Sequence, residues 1–370
     1  LRQDVAVIHC FGVGLVGSYV AKRLVEYGHE VHAYDPQPHR VLGIPGIEVH
    51  HLEPSDDPID LLVERHIYED DCAVDPGRDL VVNMLPGSIG HASTTILAEY
   101  PWRTVDLSFS RFTPDRDDEK AREYGASILW DVGIAPGLSN MLLSEAYREM
   151  GPLLKGEVRV GGNPTGPTRG WNYMAPFSPM DVVAEYTRPA RVIRDSEQVT
   201  LPALSERHMI EVPEKGEMEA FLTDGLRSVL RSIPAVEMSE YTIRWPGHIQ
   251  RFIDERDAGT LNEEALAIEW QYDHKTPEFT WMEVCAESHD GTTMTWKVQD
   301  HGGDDGHSMA RCTGLVTLCC IEEWLNDPEM LPPGVHAPET LSSEAIARIL
   351  AKLVDEGVEI EGPTITGPVG

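Results

Sequence analysis

A glycine-rich turn between an apolar strand and a helical segment is the feature that most limits the fold of this chain. The turn reads F-G-V-G-L-V-G at 11–17, it follows the apolar run 5–10, and Asp35 closes the next apolar run. In such a strand–helix–strand unit the first glycine allows a tight turn, the second lets backbone approach a pyrophosphate, and the third lets the helix pack against the strand. Residues 1–35 therefore predict a dinucleotide-binding unit.

The predicted cofactor contacts follow from this arrangement. The free N–H groups at the start of the helix would face the phosphates, which assigns cofactor binding to Gly12, Gly14, Leu15, Val16 and Gly17. The Asp35 carboxylate would accept hydrogen bonds from the adenosine ribose and repel a 2′-phosphate, which favours NAD over NADP. Arg40, five residues later, keeps NADP as an alternative. A glycine-rich turn that binds no ligand is the remaining alternative.

Strands and helices alternate beyond this unit. Apolar runs at 80–84, 104–107 and 127–130 are separated by helical segments, an order that predicts an α/β fold with a doubly wound parallel sheet. Ligands of such sheets bind at the carboxyl ends of the strands, so Leu85, Pro86 and Ser108 are expected beside the cofactor. Between 157 and 311, alternating runs such as 279–285 predict a second, mixed α/β domain with a largely antiparallel sheet.

Several further segments run through the chain in an order typical of one enzyme family. They are V-D-L-S-F-S at 105–110, D-V-G-I-A-P-G-L-S-N at 131–140, P-F-S-P-M-D-V-V-A-E-Y-T-R-P-A-R at 176–191, P-A-L-S-E at 202–206, F-L-T-D-G-L-R at 221–227, R-W-P-G-H at 244–248 and S-M-A-R-C-T-G at 308–314. With these segments the chain resembles the saccharopine dehydrogenase-like oxidoreductases, and most closely their L-lysine 6-dehydrogenase branch.

The resemblance implies a domain organisation and an activity. We expect a Rossmann domain at 1–132, a substrate-binding and dimerisation domain at 133–311, and helices at 312–370 that pack back on the Rossmann domain. The implied activity is NAD-dependent oxidation of the C–N bond of an amino acid-like amine, with deamination of the lysine ε-amine as the leading case. A saccharopine-type or carboxyspermidine-type reductase is one alternative. A dinucleotide-binding sensor without turnover is another, and a homodimer is implied in each case.

Amine oxidation needs a proton acceptor and a carboxylate facing the developing positive charge. Asp106 and Asp131, at the ends of predicted strands, and His248, whose ordinary pKa lies near neutrality, are the candidate catalytic residues. Asp131 could instead cap the loop at 133.

Candidate substrate contacts lie in the second domain. Arg244 could clamp a substrate carboxylate or form an internal ion pair. Tyr186, Arg188, Thr223 and Asp224 are the other candidates, and either Arg188 or the nearby Arg191 could bind the substrate while the other joins the two domains.

The charge of the chain limits its partners. With 62 acidic and 30 basic residues, and a formal net charge of -32, the chain should avoid nucleic acid and anionic membranes and act on a small molecule. A salt-rich cytoplasm would relieve the self-repulsion, and ordinary solubility is the alternative explanation. The six cysteines form no C-x-x-C pair and no apolar run approaches the length of a membrane span, so we expect a cytoplasmic protein. None of the 15 histidines, including the pair at 50–51, shows metal-ligand spacing, so no metal site is expected.

Overall fold

The computed structural model describes residues 5–53, 55–68, 74–166, 170–175 and 178–367. Cys72 and the first two residues of the 176–191 segment lie outside these ranges. The chain divides into two compact units, one formed by Leu1–Gly133 with Thr313–Thr340 and the other by Ile134–Cys312 with Leu341–Gly370.

The helices and strands follow one another in an order that changes character after residue 133. The strands are β1 Val7–Phe11, β2 Glu30–Asp35, β3 Ile47–His51, β4 Leu80–Asn83, β5 Arg103–Asp106, β6 Ser127–Trp130, β7 Leu153–Pro164, β8 Ala190–Arg194, β9 Glu197–Leu201, β10 His208–Val212, β11 Gly216–Leu222, β12 Ala235–Arg244, β13 Glu278–Ser288, β14 Thr293–Asp300, β15 Gly334–His336 and β16 Glu359–Thr366. The helices are α1 Leu15–Glu26, α2 Pro58–Tyr68, α3 Gly87–Leu97, α4 Asp118–Tyr124, α5 Leu138–Met150, α6 Pro179–Thr187, α7 Val229–Ser232, α8 His248–Asp257, α9 Glu263–Glu269, α10 Ser308–Asn326 and α11 Ser343–Asp355.

The first unit is built on a parallel sheet of seven strands in the order β15-β6-β5-β4-β1-β2-β3. All residues of β4, β5 and β6 are buried, as expected for strands covered on both faces, and their short apolar runs are what made them visible in the sequence. Every pair of neighbouring strands runs parallel. The prediction of a doubly wound parallel sheet is therefore confirmed.

Two strands of this sheet were not predicted. The edge strand β3 has the sequence I-E-V-H-H and a half-exposed burial pattern, so it lacks the apolar run of a central strand. Strand β15 has three residues and comes from near the end of the chain, yet it pairs with β6. Neither strand carries a local signal strong enough to be recognised without its neighbours.

The second unit contains a nine-stranded sheet with a central path β10-β11-β12-β7-β13-β14-β16, and β8 and β9 are attached through β12. In the described residues, β7 and β12 form the parallel pair of this sheet, and the other pairs are antiparallel. Residues of β14 alternate between half-buried and buried, the pattern of a sheet with one covered face. The predicted mixed α/β unit with a largely antiparallel sheet is confirmed.

The C-terminal segment divides differently from the expectation. We expected all of 312–370 to pack on the first domain, but only Thr313–Thr340 groups with it. Strand β16 instead pairs with β14 and extends the sheet of the second unit. Its sequence E-I-E-G-P-T-I-T is too polar to predict a strand without the partner edge.

Cys10, Cys285, Cys312 and Cys320 are free thiols. Among the described helices, none combines the length and hydrophobicity that crossing a bilayer requires.

Candidate functional site

The glycine-rich turn leaves no room for larger residues at two positions. Gly12 has a φ of +83°, and a Cβ there would lie 2.8 Å from the carbonyl oxygen of Met84. A Cβ on Gly17 would overlap the carbonyl oxygen of Gly12. These two glycines are therefore required by the close approach of α1 to β1 and β4.

Gly14 differs from its two neighbours in the motif. It is the N-cap of α1, it is exposed, and a Cβ added to it would meet nothing within 4 Å. The protein itself therefore does not need glycine at this position. Open space above a helix N-terminus, with Leu15 and Val16 half-buried beside it, fits the close approach of a phosphate.

Asp35 lies at the carboxyl end of β2 and holds the glycine-rich turn in place. One carboxylate oxygen accepts a hydrogen bond from the Val13 N–H at 2.7 Å, and the other accepts one from the Gln37 N–H at 2.6 Å. The carboxylate is half-buried, so each oxygen keeps further lone pairs for a ligand. This geometry fits a carboxylate that grips ribose hydroxyl groups.

The loops after β4 and β5 approach each other closely. A Cβ on Gly87 would overlap the carbonyl oxygen of Phe109, and one on Gly90 would overlap the Ser108 side chain. Pro86 is the N-cap of α3, and Leu85 is buried just before it. The Ser108 hydroxyl oxygen is buried and has no hydrogen-bond partner among the described residues. An unpaired buried hydroxyl at a strand end fits a group that a bound ligand would satisfy.

Asp106 is the last residue of β5, and Asp131 directly follows the neighbouring strand β6. Asp106 is buried and accepts hydrogen bonds from the Asn83 amide at 3.0 Å, the Ser108 N–H at 2.7 Å and the Thr94 hydroxyl. Burial raises the pKa of Asp106 to about 7, and the charge of Asp131 also raises it. Asp131 is buried as well and has a left-handed φ of 56°, which places it in a backbone conformation that Asp tolerates better than most residues.

In the second unit, Arg244, Tyr186 and His248 form a chain of hydrogen bonds. Arg244 Nε donates to the Tyr186 hydroxyl at 2.7 Å, and that hydroxyl lies 3.1 Å from His248 Nε2. His248 Nδ1 lies 2.9 Å from the carbonyl oxygen of Trp171, which can only accept. His248 is therefore the Nδ1–H tautomer, and the Tyr186 hydroxyl donates to its Nε2.

The environment of His248 changes the role expected for it. His248 starts α8, is buried, and lies against the aromatic rings of Trp171, Tyr173 and Trp270. Burial lowers the pKa of His248 from 6.5 to about 3, and the nearby Arg244 charge lowers it further. The reason for expecting His248 as a proton carrier, an imidazole pKa near neutrality, does not hold in the folded protein. His248 instead orients Tyr186 and, through it, Arg244.

Arg244 is a buried cation. Its guanidinium lies 4.5 Å from the centre of the Tyr173 ring and donates to the Tyr186 hydroxyl, to the Ile243 carbonyl at 2.9 Å and, at 3.4 Å, to the Tyr173 hydroxyl. No carboxylate of the described chain forms an ion pair with it. The charge of Glu185 acts on Arg244, but from beyond ion-pair distance. A buried guanidinium without an ion-paired carboxylate favours the binding of an external carboxylate over the internal ion pair that was the alternative.

The remaining predicted substrate contacts belong to a second polar cluster. Asp224 is buried and accepts hydrogen bonds from Arg191 Nε at 2.8 Å and Nη2 at 2.9 Å, so its carboxylate is bound bidentately. The Thr223 hydroxyl lies 2.9 Å from that of Thr242. Arg188 lies near Arg227 and Asp224, and burial lowers its pKa. Arg191 thus binds Asp224, a residue of the same unit.

Glu240 is a polar residue of this cluster that the sequence analysis missed. It is buried in β12, and Thr223 donates to one of its oxygens at 3.4 Å. Its other oxygen has no partner among the described residues. Burial raises the pKa of Glu240 well above its usual range, and the charges of Glu185 and Asp224 add to this effect. A Cβ on Gly225 would overlap the Glu240 carboxyl group, which explains the glycine in T-D-G.

The structure therefore brings the predicted residues together in four groups, two in each unit. Gly12, Gly14, Leu15, Val16, Gly17 and Asp35 surround the turn between β1 and α1, and Leu85, Pro86, Asp106, Ser108 and Asp131 follow the neighbouring strands β4, β5 and β6. In the second unit, Tyr186, Arg244 and His248 are in direct contact, and Arg188, Thr223 and Asp224 form the cluster beside Glu240. The burial of Glu240 in this cluster could have been predicted only from the pairing of the strands, since its own segment has the sequence of an ordinary strand.

Comparison with known proteins identifies the family of this chain, and solved structures share its fold. The family model of the saccharopine dehydrogenase C-terminal domain matches residues 133–358, more than half of the chain. A saccharopine dehydrogenase (L-Glu forming) from Saccharomyces cerevisiae has 14% sequence identity and a TM-score of 0.71, with 98% of this chain and 100% of that chain covered. The homospermidine synthase of Legionella pneumophila, in complex with NAD, has 11% identity and a TM-score of 0.63, with 97% and 91% covered.

Proposed function

Because the chain belongs to the saccharopine dehydrogenase family, we propose that it is a nicotinamide-dinucleotide-dependent oxidoreductase acting on the C–N bond of an amino acid-like amine. Oxidative deamination of the lysine ε-amine is the leading case. The observation that carries the proposal is the geometry around Gly14 and Asp35, where an open helix N-terminus lies beside a carboxylate that already orders the glycine-rich turn.

NAD is the proposed cofactor. The N–H groups that open α1 would hold the pyrophosphate, Asp35 would bind the adenosine ribose, and the Ser108 hydroxyl would gain a hydrogen-bond partner. A carboxylate at position 35 disfavours the 2′-phosphate of NADP. The structurally similar homospermidine synthase was crystallised with NAD, which is consistent with this choice. When bound, the dinucleotide supplies a hydride acceptor.

Arg244 is the proposed anchor for the substrate carboxylate. Its positive charge lacks a carboxylate partner in the described chain, and the hydrogen bonds from Arg244 through Tyr186 to His248 fix the orientation of its Nε. A guanidinium fork can offer its remaining N–H groups to both oxygens of a carboxylate. We therefore assign His248 and Tyr186 as positioning residues.

The Asp106 and Asp131 pair is the proposed proton acceptor. A carboxyl group that keeps its proton beside a carboxylate that has lost it provides an acid and a base at the same pH. Asp106, with a pKa of about 7, retains a proton near neutrality, and the charge of Asp131 contributes to that shift. In this proposal Asp131 takes the proton from the substrate amine, and Asp106 holds the Asp131 side chain in position.

The reaction balances as follows. A dinucleotide held by the α1 N–H groups and Asp35 would supply the hydride acceptor for the substrate C–H. Asp131 would accept the amine proton, so the CH–NH2 group would become an imine. Water then adds across the C=N bond, and ammonia leaves to give the aldehyde. The same groups would serve a reductive reaction in the opposite direction.

The proposal is tested by incubating the full chain with NAD in molar KCl. Lysine, ornithine, diamines and saccharopine are each added in a separate reaction. We expect NADH to form with one amine and ammonia to appear in equal amount. Asp131→Asn should lower kcat by at least about a hundredfold, the usual scale of a lost acid–base group. Arg244→Lys should mainly raise KM, since a lysine cannot make the bidentate contact.

Other outcomes separate the alternatives. Turnover of saccharopine with glutamate among the products would assign a saccharopine-type reductase, for which the family match is the supporting observation. Binding of NAD without turnover in either direction would assign a dinucleotide-binding sensor. No binding of either dinucleotide by folded protein would refute the proposal.

A further inference from the structure

Histidine and glutamate side chains form a cluster on one face of the parallel sheet. His9 in β1 is paired with His32 in β2, and His32 is paired with Glu48 in the edge strand β3. His50 lies two residues beyond Glu48, on the same face of β3. Three neighbouring strands thus direct imidazole and carboxylate groups to one place.

The possible ligand atoms of three of these residues lie close together. His32 Nδ1 and His50 Nε2 are 3.0 Å apart, and the Glu48 carboxylate oxygens lie 3.5 Å from His50 Nε2 and 3.9 Å from His32 Nδ1. Ligand atoms of a tetrahedral zinc ion lie roughly 3.3 Å apart, because each is about 2.0 Å from the metal. The three atoms already have nearly the spacing that such an ion requires.

Glu30 completes the arrangement around His32. Its carboxylate oxygen lies 3.2 Å from His32 Nε2, so it accepts a hydrogen bond from the Nε2–H. This bond selects the tautomer whose Nδ1 lone pair points toward His50 and Glu48. A carboxylate that holds the far nitrogen of a histidine in this way is the usual support of a histidine metal ligand.

The cluster is open to solvent on its carboxylate side. The His32 and His50 side chains are 5% and 12% exposed, whereas those of Glu30 and Glu48 are 56% and 54% exposed. Glu30 and Glu48 also line a surface cleft of about 630 Å³. An ion could therefore enter from solvent and keep a water molecule in its fourth coordination position.

We propose that His32 Nδ1, His50 Nε2 and the Glu48 carboxylate bind a divalent transition-metal ion, with zinc as the best fit. Two imidazoles and one carboxylate suit zinc, whereas magnesium and calcium prefer oxygen ligands alone. The ion would link β3 to β2 and so fasten the outer strand of the sheet. The expectation that no histidine belongs to a metal site overlooked this cluster, because its ligands become neighbours only through strand pairing.

The test uses the full chain without a polyhistidine tag, freed of metal, and titrated with ZnCl2 in a calorimeter in the presence of excess magnesium. We expect one zinc ion per chain and a higher melting temperature with zinc. His50→Ala should abolish this binding. Glu48→Gln and Glu30→Gln, both at exposed positions that folding tolerates, should each weaken binding by about tenfold or more. Cobalt bound at the same site should show the visible absorption of tetrahedral coordination.

His51→Ala is the matched control, because the His51 side chain is exposed and lies on the opposite face of β3. It should bind zinc as the unaltered chain does. The proposal is overturned if the unaltered chain binds no zinc. It is equally overturned if Glu48→Gln and His50→Ala bind zinc undiminished, since the ion would then lie elsewhere on the acidic surface. Neither dinucleotide nor substrate is needed, so the result is independent of the proposed function.

Discussion

At the scale of single residues, burial determines which groups carry charge. His248 is held neutral, Arg244 keeps its charge beside two tyrosines, and Asp224 is neutralised by Arg191. Glu240 has no such cation in hydrogen-bond contact among the described residues, and burial favours its protonated form. These four ionisable groups of one unit thus differ in charge state or in charge partner, because each has a different set of neighbours.

The first prediction concerns the pH dependence set by His248. Its pKa is about 3 in the folded protein against 6.5 for an ordinary imidazole, so the unfolded chain binds more protons between these values. Stability therefore falls as pH falls below about 6.5, by up to about 1.4 kcal/mol per pH unit from this group. His248→Asn should reduce that slope in urea unfolding experiments at fixed ionic strength. His51→Ala should leave it unchanged, and an unchanged slope in His248→Asn would contradict the assignment.

The second prediction compares the two buried carboxyl groups Asp224 and Glu240. Asp224→Asn leaves Arg191 without a counter-charge and should lower the free energy of unfolding by about 2 kcal/mol. Glu240→Gln replaces a neutral acid by a neutral amide of the same shape and should change it by less than about 1 kcal/mol near pH 7. Urea unfolding of both variants measures the difference. Equal losses would show that Glu240 is charged in the folded protein.

At the scale of elements, short buried strands and the glycine-rich turn were predictable from sequence, because each has a recognisable local sequence pattern. The edge strand β3, the strand β15 and the partly exposed β16 were not, since they form only where a partner edge is available. The same limit applied to the sites. R-W-P-G-H indicated Arg244 and His248 through a family resemblance, whereas Glu240 and the His32–Glu48–His50 cluster depend on side chains that strand pairing brings together.

The third prediction separates two glycines of one turn. Gly14→Ala adds a methyl group in open space, so stability should be almost unchanged while dinucleotide affinity falls by at least about tenfold, through obstruction of the phosphate approach. Gly17→Ala places its methyl group against the Gly12 carbonyl and should lower stability by about 2 kcal/mol. Thermal unfolding and calorimetric titration with NAD distinguish the two effects. Full NAD affinity in Gly14→Ala would mean that the phosphates do not lie above this residue.

At the scale of the whole molecule, the main feature is the excess of acidic over basic residues. The net charge of -32 far exceeds what ordinary solubility needs, and arginines such as Arg159, Arg194 and Arg311 are already engaged by two carboxylates each. The remaining acidic residues repel one another over distances that salt screens. We therefore retain the proposal that the protein works in a salt-rich cytoplasm.

The fourth prediction follows from this repulsion. The melting temperature should rise as KCl is increased toward molar concentration, because screening favours the compact state. Choline chloride at equal ionic strength should give a similar gain, and sucrose at equal osmolality a smaller one. Differential scanning calorimetry measures the change. A melting temperature indifferent to molar salt would remove the halophilic proposal.

The position of β15 has a consequence for how the protein is made. On the ribosome, β1 to β6 emerge first, but the strand that covers the free edge of β6 comes some 200 residues later. Until then the nascent sheet exposes unpaired backbone groups, a surface on which newly made chains can aggregate. A fragment cut after residue 133 would keep that bare edge permanently, so recombinant expression of the first unit should include residues 313–340 as a grafted segment.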